Sequence, residues 1–102
     1  MNKSRRNEIL KIIGGLEHLK KINEIDSLNK IEKALKSVLF DEEMAFDNMP
    51  ESFHDCARGF ESQEAIEAME EALESLKEAK CVENDEEFYE IIETAIFRLE
   101  EI

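Results

Sequence analysis

Residues 46–53 read Phe46-Asp47-Asn48-Met49-Pro50-Glu51-Ser52-Phe53 and contain the only proline of the 102-residue chain. Asn48 suits a left-handed helix-end position, and Met49 is pushed away from helical geometry by the proline that follows it. Pro50 is well placed as the first residue of a new helical turn, because its missing N–H would have no intrahelical partner there. The segment therefore predicts a helical region ending near residue 44 and a turn with a short helix over 47–59, closed by Gly59. On both sides the sequence is dominated by Glu, Lys, Leu, Ile and Ala, which favour helix. The chain thus reads as all-α: an antiparallel hairpin or bundle of three to four helices with coiled-coil-like seams.

Upstream, Ile9, Ile12, Leu16 and Leu19 form one apolar stripe, and the spacing returns at Leu28, Ile31, Leu35 and Val38. Leu19, Ile22, Ile25 and Leu28 are spaced by three, which rotates a stripe by about 60° per step on a 3.6-residue helix. One straight helix over 4–44 cannot bury all of them, so a kink or break is expected either at Gly14 and Gly15 or over 23–27. The reading favours a break near Asp26, with Asp26 or Ser27 as a cap. Downstream, Ser62 is expected to cap an acidic helix over 62–80 whose seam is Ile66, Met69, Leu73 and Leu76. Asn84 with Glu87 predicts a capping box for a last helix over 85–102, with Phe88, Ile92, Ala95, Leu99 and Ile102 inward.

Residues 1–36 carry nine Lys/Arg against five Asp/Glu, while residues 37–102 carry four against twenty-one, for a formal net charge of −13. So acidic a chain repels nucleic acid and anionic membrane and attracts basic partners; direct nucleic-acid binding is not expected. Cys56 and Cys81 are expected as free thiols in a reducing cytoplasm, since no signal peptide or membrane span is read in the sequence. Phe40, Phe46, Phe53, Phe60, Phe88, Tyr89 and Phe97 exceed what narrow seams cover, so dimerisation is expected to bury some of them.

The turn also carries a resemblance. Arg5-Arg6, the run Ala45-Phe46-Asp47-Asn48-Met49-Pro50-Glu51-Ser52, Arg58-Gly59 and the Glu64-Ala65-Ile66-Glu67 helix continuing through Met69, Ala72, Leu73 and Leu76 resemble an uncharacterised family of small acidic helical proteins. These are encoded by phages and prophages of Gram-positive bacteria. The resemblance covers about half of the chain and implies a small accessory protein acting in the cytoplasm of a bacterial host, with Asp47, Asn48, Pro50, Glu51, Ser52, Arg58 and Gly59 as the shared turn motif. It implies no catalytic residue.

Few constellations suggest chemistry. Glu51 and His54 form a Glu-x-x-His, the spacing used by di-iron bundles, but at the start of a short post-proline segment. His54-Asp55-Cys56 has the residue types of a thiol site, yet adjacent helical side chains diverge. His18 reads as a boundary residue beside the first seam. The two Cys and two His lack the spacing of structural zinc. Glu-x-x-Glu pairs abound, but the accompanying Glu-x-x-Asp of all-α nucleotide pyrophosphohydrolases is absent, and Gly14-Gly15 lacks the rest of a phosphate loop. No cofactor, no metal and no enzymatic activity are therefore expected.

The remaining candidate is a row of carboxylates, Glu64, Glu67, Glu71, Glu74 and Glu78, on the helix face away from the seam. Like pairs at i,i+4 oppose the helix by about 0.2–0.5 kcal/mol each. The row is either a solvated helix back or an imitation of nucleic-acid phosphates that enters the groove of a basic nucleic-acid-handling or defence protein. A basic first helix carrying Lys3, Arg5, Arg6, Lys11, Lys20, Lys21, Lys30, Lys33 and Lys36 stands against the second reading, since it could neutralise the row within the chain. Two functions from different classes follow: an inhibitory binding protein, or a structural coiled-coil module.

Overall fold

Asn2 opens the first helix by accepting a hydrogen bond from the Arg5 backbone N–H at 2.9 Å, satisfying one of the N–H groups that a helix start leaves bare. The computed structural model describes every residue except Asn23 and Asp55, together with the backbone but not the side chains of Phe53 and His54. Four long helices result: α1 (Lys3–Leu19), α2 (Ile25–Asp47), α4 (Ala57–Ala79) and α5 (Asp85–Glu100), with a single turn, α3 (Glu51–His54), between the second and third of them. No strand occurs among the described residues.

The long helices form a ring in which α1 touches α2 and α5, and α4 touches α2 and α5. Short links make consecutive long helices antiparallel, giving an up-down-up-down bundle measuring 47 × 19 × 17 Å. α1 and α4 occupy opposite corners. The core stripe of α1 is Ile9, Ile12, Leu16 and Leu19, as its 3-4-3 spacing predicts, and α5 buries Phe88, Ile92, Ala95, Ile96 and Leu99.

Several expectations are corrected. Gly14 and Gly15 lie inside α1, and the break falls between Leu19 and Ile25, with Asp26 in the first turn of α2 instead of at its cap. Gly15 faces Ile31, where an added Cβ would meet Ile31 Cδ1 at 3.0 Å; a Cβ on Gly14 would meet nothing within 4 Å. Asn48 closes α2 in right-handed geometry (φ −82°, ψ −6°), and no described residue has positive φ. Gly59 ends no helix: α4 starts at Ala57 after extended Cys56 and runs through both Gly59 and Ser62, which are buried. Ser62 caps nothing because it lies inside α4, and its hydroxyl donates instead to the Glu42 carboxylate of α2. Asn84 does cap α5, but it accepts from the Glu86 N–H at 2.8 Å instead of pairing with Glu87.

The seam of α4 also differs. Ile66 is only half-buried, while Ala65, Ala68, Met69, Ala72, Leu73, Leu76 and Ala79 are buried. At 100° per residue the four alanines fall on the side away from Ser62, next to α5. Small side chains there let two helix backbones approach closely.

Candidate functional site

Two carboxylates lie in the core. Glu42 is 1% exposed: its Oε2 accepts from Ser62 Oγ at 2.6 Å, its Oε1 accepts from Arg5 Nε at 2.9 Å, and the Met1 amino group stands 3.6 Å from Oε2. A buried carboxylate persists only when its oxygens are so partnered. Glu32 is 8% exposed and sits between Lys80 Nζ at 2.9 Å and Lys36 Nζ at 3.2 Å. The hydrogen bond from Lys80 is the main cause that holds its carboxyl below the usual range; burial opposes it, and Lys36 reinforces it. These groups join helix ends: Glu42 ties α2 to α1 and α4, and Glu32 ties α2 to the end of α4. Both fall at seam positions of α2, which runs Leu28, Glu32, Leu35, Val38, Glu42. The 4-3-3-4 spacing from Leu28 was the signal in the sequence; a stripe read from apolar residues alone passes over it.

A carboxyl whose folded pKa is depressed stabilises the fold at pH values above its unfolded pKa, about 4.3 for glutamate, and loses that contribution as pH falls through the folded value. Glu32→Gln is therefore expected to destabilise more at pH 7 than at pH 3 in urea unfolding. An equal cost at both values would remove Glu32 from the acid response. The comparison has to be made between variants, because protonating the exposed carboxylates elsewhere relieves repulsion and acts with the opposite sign.

The acidic row is assembled as the spacing predicts. Glu64, Glu67, Glu71, Glu74 and Glu78 are all exposed on α4, and Phe60, 53% exposed, continues the same face one turn before Glu64. α4 holds seven glutamates against Arg58 and Lys77, and the neighbouring α5 holds six carboxylates against Arg98. All thirteen are exposed. Phe97, 66% exposed, lies among Glu90, Glu93 and Thr94 on the outside of α5.

Several cations of the basic N-terminal region are paired away from the row. Arg5 reaches Glu42, Lys11 reaches Glu8, and Lys20 reaches Glu17 and Glu93 while lying 5.1 Å from the centre of the Tyr89 ring. The Glu17 hydrogen bond is the main reason the Lys20 pKa is raised. Within the row, the ion pair seen among the described residues is that of Glu71 with Arg98, whose guanidinium also binds Glu101 at 2.8 Å. Glu101 first, then Glu71, raise the Arg98 pKa. Most of α1 stands at the opposite corner of the ring, but Arg6 and Met1 at its start line one hollow with Glu61, Glu64 and Glu67, so the beginning of the row lies beside basic groups of the same chain.

The turn motif occupies one end of the bundle. Asp47, Asn48, Pro50, Glu51, Ser52 and Arg58 are exposed there, Gly59 is buried, and Arg58 with Glu61 and Met49 edges a hollow of about 300 Å³ above Glu42. The motif and the acidic row are not brought together. His18 is exposed. The His54 and Asp55 side chains, and with them the Glu51/His54 pair and the His54-Asp55-Cys56 run, lie outside the described residues. Among those described, no three His, Cys, Asp or Glu side chains gather in a way that could hold a metal ion, and no helix is long and apolar enough to cross a membrane. Compared with known proteins, the chain matches no family model, no curated protein and no solved structure.

Proposed function

We propose that this chain is a non-enzymatic binding protein, of the accessory inhibitor kind that phages and prophages encode, whose α4–α5 surface occupies the nucleic-acid groove of a basic host protein. The density of exposed charge is the observation that carries the reading. Thirteen carboxylates against three cations leave a net ten negative charges on two adjacent helices. The longer helix has 23 residues, a rise of about 35 Å. That is roughly one net charge per 3.5 Å, close to the ~3.4 Å per phosphate along one strand of duplex DNA. Phe60 and Phe97 stand among the carboxylates, where aromatic rings meet the aliphatic stems and guanidinium planes of lysine and arginine.

A lysate pull-down on the immobilised chain, eluted with a salt gradient, tests the reading. A captured nucleic-acid-handling protein is expected to elute early, to be displaced by added DNA or RNA, and to bind the triple variant Glu67→Gln/Glu71→Gln/Glu74→Gln about tenfold more weakly. Retention that ignores salt and the triple substitution would sink it. The alternative, a structural module that pairs with helices, is favoured by a different observation, the exposed Leu10, Phe40 and Met44 on α1 and α2.

A further inference from the structure

The outward face of α2 runs Lys30, Lys33, Ser37, Phe40, Met44, Asp47, all exposed, at spacings that alternate three and four. That alternation averages 3.5 residues, the repeat of a seam along which two helices supercoil. It lies opposite the stripe of Leu28, Leu35 and Val38, which the bundle core already uses. Phe40 is 62% exposed and Met44 46%, so the apolar part of this second seam is open to water. The charges on the face divide along the helix, with Lys30 and Lys33 in its first part and Asp41, Glu43 and Asp47 in its last. Among the described residues no ion pair engages any of these five, whereas Lys36 turns inward to Glu32.

We infer that a second copy of this chain covers the α2 face, through an antiparallel α2–α2 contact about a two-fold axis. The occupant is selected by charge: a face basic in its first part and acidic in its last is complementary to itself when the helices run in opposite directions, and sets like on like when they run in parallel. In the antiparallel register that keeps the seam in phase, Lys30 opposes the partner's Asp47, Lys33 the partner's Met44, and Ser37 the partner's Phe40, and the axis repeats all three. The small Ser37 leaves room for the partner's ring, and the aliphatic stem of Lys33 lies along the partner's Met44 with its ammonium in water. Asp26 has no counterpart, because the position opposite it falls beyond the end of α2. The formal net charge of −13 opposes self-association in general, but its excess sits on α4 and α5, and α5 occupies the corner diagonal to α2. The seam from Lys30 to Asp47 is about 26 Å long, a small interface, so a dissociation constant on the order of micromolar is expected. The contact does not rest on the function proposed above.

Sedimentation velocity over a wide range of protein concentration, in reductant so that the exposed Cys81 cannot cross-link, is the test. The wild-type chain is expected to show a monomer–dimer equilibrium. Phe40→Glu, at an exposed position and verified as helical by circular dichroism, is expected to raise the dimer dissociation constant on the order of tenfold or more. Lys30→Asp and Asp47→Lys are each expected to weaken association, and the double variant to restore it. The two single changes shift the net charge in opposite directions, so weakening by both cannot come from overall repulsion. The double variant restores opposed charges in the antiparallel pairing alone, since parallel helices would still set like on like. A chain that stays monomeric at every concentration, which would leave the face to a helix of another protein, a dimer indifferent to Phe40→Glu, or a double variant no tighter than the singles overturns the inference.

Discussion

Glu42→Ala is expected to lower the unfolding free energy by about 3 kcal/mol, and Tm by roughly 15 °C, in urea and thermal melts followed by far-ultraviolet circular dichroism. The carboxylate is 1% exposed, and its removal strands the hydroxyl of Ser62, itself 1% exposed, with no acceptor, alongside an emptied volume. Orphaning a buried polar group costs about 1–3 kcal/mol, and loss of the charge-assisted bonds and of packing adds to it. Arg5, whose side chain is 22% exposed, recovers water and limits the damage. Two comparisons isolate the cause. Glu42→Gln keeps an oxygen for Ser62 and is expected to cost less than half as much, and Ser62→Ala made on top of Glu42→Ala is expected to be nearly free, because the two residues form one unit. A loss below about 1 kcal/mol for Glu42→Ala would mean that the carboxylate does not clamp the bundle end.

Ala72→Leu is the second large effect, about 2–3 kcal/mol destabilising by the same melts. Ala72 is 0% exposed at the α4–α5 contact, and the interior there is filled to near crystal density. Three added carbons have nowhere to go unless the helices separate, which uncovers Leu76 and Ile92, both 0% exposed. By contrast, Ile66→Ala is expected to cost less than Ala72→Leu, about 1–2 kcal/mol, since that side chain is only partly buried. If the larger loss came from Ile66, the seam read from large apolar residues would be right and the alanine face wrong.

That comparison shows where the sequence was readable. The four long helices, the turn at Pro50, the link before Asp85 and the outward acidic row follow from periodicity and from the residues that break helices, both of which are local. Three features were hidden because their causes are not local. Ser62 favours a helix end on its own merits, yet its partner is twenty residues away on α2. Ile66 looks like core in a scan for bulk, but a face that must admit a neighbouring backbone closely selects alanine. Glu32 and Glu42 look like surface because carboxylates usually are; only the arrival of Lys80, Arg5 and Ser62 from other helices makes their burial tolerable.

The placement of α1 and α4 at opposite corners of the ring gives the molecule a transverse dipole moment. α1 carries four cations against Glu8 and Glu17 and so stands on the less negative side, while α4 and α5 hold the excess of acid. Near a positively charged surface such a body experiences a torque as well as an attraction, once within roughly a Debye length of 8–10 Å. It turns before it touches, acid side foremost, and fewer of its collisions are wasted on the wrong orientation.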